Sequence, residues 1–95
     1  MAVAIVMEFD GATLDQYNQV VDRMGFSPGG AGPAGNLFHW VTKTDGGISV
    51  TDVWESREQF DAFAGSTIGP ITREIGFPSP PQLSFHEVHN YMTKG

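Results

Sequence analysis

ISVTDVWESREQFDAF, residues Ile48 to Phe63, decides the fold. Its first half alternates like a strand. Ile48, Val50, Asp52 and Trp54 point one way, and Ser49, Thr51 and Val53 the other. Ser56 and Gln59 then stand three apart, as a capping box requires, and Phe60 and Phe63 follow on one helical face. The segment predicts a strand that runs into a capped helix. Asp52 shares its strand face with three apolar residues, and that face is the one the helix should cover. A buried carboxylate needs a partner or has a task.

Upstream, Leu37 to Lys43 forms a second alternating run, separated from the first by Thr44-Asp45-Gly46-Gly47. Asp-Gly tolerates the positive φ angles of a type I′ turn, so the two runs predict a hairpin. If Asp45 and Gly46 form the turn, Thr44 faces Gly47, Val41 faces Val50, His39 faces Asp52 and Leu37 faces Trp54. If Gly46 and Gly47 form it, His39 and Asp52 become diagonal neighbours. An odd-length loop would put them on opposite faces.

The remaining elements follow. Val3 to Phe9 is apolar on both faces except at Glu8, as in a central strand. Thr13 and Gln16 form another capping box before Leu14, Tyr17, Val20, Val21 and Met24, which keep helical spacing up to Gly25. Gly25 to Asn36 is a long glycine- and proline-rich loop, of the kind that serves as a lid or binding loop or is disordered. The helix after Ser56 is interrupted by Gly65, Gly69 and Pro70, so a kinked or split helix to about Ile75 is expected. Gly76 to Pro81 is a turn, and Gln82 to Met92 alternates as a last strand. The order β-α-β-β-α-β over residues 1–95 predicts one α+β domain. Its form is ferredoxin-like, with both helices on one face of a four-stranded antiparallel sheet.

Composition narrows the function. The 95 residues carry 5 basic and 11 acidic side chains, net −6. That balance lacks the electrostatic footprint of a nucleic-acid binder. No apolar run is long enough to span a membrane, and the first residues lack a basic n-region. Without cysteine there is no disulfide, zinc–thiolate or iron–sulfur site. A cytoplasmic setting is the default expectation. Phe38, Trp40, Val53, Ala4 and Val6 fall on the sheet face that the helices cannot cover. A homodimer, sheet against sheet, would bury that patch, as would a loop folded back over it.

At this level the chain resembles the dimeric α+β barrel superfamily, and within it the small antibiotic-biosynthesis-monooxygenase-like proteins. The likeness rests on the element order, on VTDVWESREQFDAF at Val50 to Phe63, on the Gly69-Pro70 interruption and on HEVHN at His86 to Asn90. It covers nearly the whole chain. The resemblance implies a ligand cavity between sheet and helices in each subunit. It does not imply one chemistry, because the superfamily includes cofactor-free quinone-forming monooxygenases, polyketide cyclases and haem-degrading enzymes. Haem-binding members use a helical histidine, whereas His39, His86 and His89 all fall on predicted strands. The position matching the catalytic histidine of related plant cyclases is Ile48.

His39 and Asp52 are the candidate catalytic pair. A carboxylate beside an imidazole fixes its tautomer and raises its basicity, which suits proton abstraction from an acidic phenol or β-dicarbonyl. The same pair could also be a satisfied structural hydrogen bond. Tyr17, Trp54 and Phe63 are candidate substrate-binding residues that would line a pocket for a flat aromatic ligand, although aromatics at this spacing also build cores. His89 is a further candidate for the cavity or dimer seam. His86 and His89 fall on opposite faces of a strand and make a poor chelate, so neither metal nor cofactor is expected. Gly30 to Gly35 matches G-x-G-x-x-G, but it follows a helix and opens a strand, the reverse of a dinucleotide fingerprint. Two functions remain in view. One is a cofactor-free monooxygenase or cyclase acting on an aromatic or polyketide-like substrate. The other is a non-catalytic ligand-binding or accessory protein of the same fold.

Overall fold

The computed structural model describes all residues, Met1–Gly95. Eight segments follow in order: β1 (Val3–Asp10), α1 (Leu14–Met24), β2 (Asn36–Thr44), β3 (Gly47–Trp54), α2 (Arg57–Phe63), a π-helical turn (Ala64–Ile68), α3 (Gly69–Ile75) and β4 (Gln82–Glu87). The four strands form one antiparallel sheet in the order β2-β3-β1-β4. This is the ferredoxin-like α+β arrangement expected from the element order.

The caps explain where the helices begin. Thr13 accepts from the Gln16 backbone N–H at 3.1 Å, and the Gln16 side chain accepts from the Thr13 N–H at 3.0 Å. Gly25 ends α1 in the left-handed region at φ 79°. At α2 only half of the box forms. Ser56 accepts from the Gln59 N–H at 3.2 Å, but the Gln59 amide donates to Glu55 instead of returning to the Ser56 backbone. That amide lies against Gly35, where a Cβ would come within 2.8 Å of it.

The second helix is split, as Gly69 and Pro70 predict, but by widening and not by breaking. Proline has no N–H to continue the ladder. The chain absorbs this in a π turn whose Gly69 N–H donates to Ala64 O. Thr72 then donates its hydroxyl to Ile68 O at 2.8 Å and to Gly69 O at 3.1 Å. Carbonyls loosened by the turn are thereby satisfied.

The hairpin takes the first of the registers open to the sequence. Thr44 pairs with Gly47, Val41 with Val50 and His39 with Asp52. Two details differ from expectation. Neither Asp45 nor Gly46 adopts a positive φ, so the turn is not type I′. β1 supports it instead, the Gly11 N–H donating to Gly46 O at 2.6 Å, and a Cβ on Gly47 would collide with the Phe9 carbonyl. An irregularity between Asn36 and Phe38 also places Asn36, not Leu37, opposite Trp54.

The core sits between β1, β3 and α2. Ile5, Ile48, Trp54 and Phe60 are essentially inaccessible. Trp54 and Phe60 meet edge-on at 6.0 Å, and Phe77 closes edge-on over Phe9 at 5.2 Å. The opposite sheet face is less bare than the sequence suggested. The chain beyond β4 crosses it far enough for Tyr91 to pack edge-on against Phe38 at 5.6 Å. Val53 is buried there, while Trp40 remains 51% exposed.

Candidate functional site

A cleft of about 1120 Å³ lies between the β2 half of the sheet and α1. The glycine- and proline-rich segment after α1 forms one of its walls, from Phe26 to Pro33. Phe63, Ile68 and Thr72 close the far side. The loop is therefore part of the site, a role that the sequence left open. Its volume is at the upper end for small-molecule sites, and 19 of its 31 lining residues are hydrophobic.

One polar chain crosses this apolar cleft. His39 Nδ1 lies 2.5 Å from Asp52 Oδ1. Trp54 Nε1–H donates to the other carboxylate oxygen at 3.0 Å. On the far side, the Tyr17 hydroxyl lies 2.5 Å from His39 Nε2, with the two rings nearly parallel. An ionised carboxylate can only accept, so Nδ1 carries a proton. In the neutral imidazole Nε2 then accepts from the Tyr17 hydroxyl. The order of donation is Tyr17 to His39 to Asp52, with Trp54 anchoring the end.

Each link has a local cause. Antiparallel pairing sets His39 directly opposite Asp52. Asp52 and Trp54 are two apart on β3 and share a face. Tyr17 stands one turn into α1, on the stripe that faces β2. Asp52 is 4% exposed, whereas the His39 side chain is 38% exposed, so the chain runs from a dry end to a wet one. Burial raises the Tyr17 phenol above its ordinary value of 10.0, and the Asp52 carboxylate adds to the shift. Tyr17 therefore stays protonated, a donor, at neutral pH.

Tyr17, Trp54 and Phe63 all line the cleft beside His39 and Asp52. Trp54 belongs mainly to the core, with Phe60 and Phe63 against its ring, and its indole N–H is the part that serves the polar chain. His89 is not brought to this site. β4 ends at Glu87, five residues short of the expected Met92, because β1 has no residue before Val3 in the ladder. One further bond, Val88 N–H to Ala2 O, closes the edge, and His89 is exposed on the bend beyond it. Sequence reasoning missed Thr72, which lines the cleft while its hydroxyl bonds back to the Ile68 and Gly69 carbonyls. No group of three histidine or acidic side chains is placed to hold a metal ion. No helix is long and apolar enough to cross a membrane.

Comparison with known proteins agrees with this architecture. No protein-family model matches the chain, and no curated protein matches it. Among solved structures it is similar to a monooxygenase of Streptomyces coelicolor, the product of ActVA-Orf6, determined in complex with the ligand nanaomycin D. The two superpose with a TM-score of 0.54 over 99% of this chain and 92% of the other, at 21% identity. At that identity the likeness establishes a shared fold and no more.

Proposed function

We propose that the cleft is the active site of a cofactor-independent monooxygenase or cyclase acting on a hydroxylated aromatic or polyketide-like substrate. The observation that carries this is the unbroken chain Tyr17–His39–Asp52–Trp54 inside an apolar cleft. A proton taken from an acidic substrate C–H or O–H enters at the Tyr17 hydroxyl oxygen as that hydroxyl passes its own proton to His39 Nε2. The imidazolium so formed is stabilised by Asp52, whose position Trp54 fixes. In an oxygenase the substrate anion then gives one electron to O2. The radical pair combines as a peroxide anion, which takes back the proton held by the imidazolium, and loss of water from the hydroperoxide converts a ring CH2 into a carbonyl. The nanaomycin D complex of the fold neighbour supports a ligand of this class. Oxygen uptake with anthrone-like phenols tests it. Turnover by the wild type, and its loss in His39→Gln, is the expected result. Full activity in His39→Gln would remove the assigned role.

A second reading, a non-catalytic binding or accessory protein, has one observation in its favour. Every buried polar side-chain atom already has a hydrogen-bond partner within the chain, as in a purely structural network. Ligand-induced melting shifts without oxygen uptake would select it.

The protein is further proposed to work as a homodimer through its outer sheet face. Only 12 of 95 residues are buried, and Trp40 stands exposed beside Phe38 on that face. Sedimentation at a mass twice 10.3 kDa is expected, and a monomer at micromolar concentration would contradict it.

A further inference from the structure

The cleft contains carboxylates and no lysine or arginine. Asp52 forms its floor and the exposed Asp22 lines it from α1. The chain has five basic side chains, and none of them lines the cleft. Arg23 is paired with Glu74, bridging α1 to α3. Arg57 lies over the Phe85 ring at 3.8 Å and near Asp61. Lys43 is beside the hairpin turn, Arg73 is on α3, and Lys94 is in the last residues of the chain. His39 cannot substitute for a missing cation. Both of its ring nitrogens are engaged, and any charge it gains is balanced by the Asp52 carboxylate. A ligand carboxylate or phosphate brought here would be desolvated among apolar walls, next to like charge, with no counter-ion.

We propose that this cleft is selective for charge as well as shape: it takes uncharged polycyclic phenols or ketones and rejects the same ring systems carrying a carboxylate. The inference names the substrate class of the site and rests on the proposed ligand cleft, but not on turnover. An uncharged ring meets the Tyr17 hydroxyl oxygen as an acceptor, with mostly apolar surface around it. The overall charge of −6 extends the discrimination outward, because it repels anionic ligands before they reach the cleft.

Calorimetric titration with three ligands at neutral pH tests it: a dihydroxyanthraquinone, its ring carboxylic acid, and the matching carboxamide. The amide controls for size. The expected result is that the amide binds within a few-fold of the parent, while the acid binds at least tenfold more weakly. Asn18→Lys, an exposed cleft-lining position on α1, should narrow the gap between acid and amide. Equal affinity for acid and amide would overturn the charge selectivity and leave a turnover result with anthrone-like phenols standing. Absence of binding by all three would overturn it together with the ligand-cleft reading beneath it.

Discussion

The two β-α halves of this domain share a plan and differ in what they enclose. In the second half, β3 and α2 close on each other, and Trp54 and Phe60 are each only 1% exposed. In the first half, β1 joins the same core through Ile5, Met7 and Phe9, but no residue of β2 is buried, and Val20 is the sole buried residue of α1. The cause is visible in the connections. β3 reaches α2 through two residues, Glu55 and Ser56, which leaves the helix no room to stand away from the sheet. α1 is held at its ends instead, by Gln16 to Gly76 O and by Arg23 to Glu74, both outside the sheet. Of the eleven residues between α1 and β2, Phe26 to Pro33 then line the space left open. The polar chain straddles the boundary. Asp52 and Trp54 belong to the packed half, and His39 and Tyr17 to the open one. On the proposed function, a rigid support would thus hold the base and leave the substrate end accessible.

Four substitutions or titrations probe that contrast. Phe60→Ala in the packed half should cost about 3–5 kcal/mol in chemical denaturation, since it leaves a cavity beside Trp54. A loss under about 1 kcal/mol would mean the half is not packed as described. Asp52→Asn keeps the shape at the boundary but replaces an acceptor with a donor facing either His39 or Trp54. Turnover should fall by about 10²–10⁴-fold. Stability should fall by about 1–3 kcal/mol from the unmet donors, read by melting. Val21→Ala on the cleft wall should cost about 1 kcal/mol or less, because the side chain is only half-buried. A loss equal to that of Phe60→Ala would erase the distinction between the halves.

The smallest effect is a pH dependence. The folded state raises the Tyr17 pKa above 10.0, so the unfolded chain loses this proton first. The stability linked to it is complete below the unfolded value and is lost as pH rises through the folded one. The melting temperature should therefore fall more steeply above about pH 10 in the wild type than in Tyr17→Phe. Parallel curves would mean that Tyr17 is not held in its protonated form.

What could be read from sequence divides along the same boundary. The β3–α2 segment is local, with alternation followed by a cap, and its surroundings alter only the Gln59 half of that cap. That His39 and Asp52 share a face is readable if the turn has two residues, because that fixes parity, whereas their direct pairing is one of the registers the sequence leaves open. The partnership of Trp54 with Asp52 had a usable signal, two residues apart on one strand face, although an indole there looks first like core. Tyr17 was read as a wall of the pocket, and its hydroxyl as a link in the chain was not. That contact depends on how far α1 stands from β2, a tertiary distance that no local pattern encodes. His89 failed for a similar reason. Its alternation continues to Met92, but a strand lasts only as long as its neighbour, and β1 ends the ladder at Val3.

The central claim is that Tyr17, His39 and Asp52 act as one proton-handling unit. The most direct test is a double-mutant cycle on oxygen uptake with an anthrone-like phenol, comparing Tyr17→Phe, His39→Gln and the combined variant. Groups that act together lose their function together, so the double variant should be no slower than His39→Gln alone. Losses that multiply in the double variant, or a wild-type rate in either single variant, would contradict the claim.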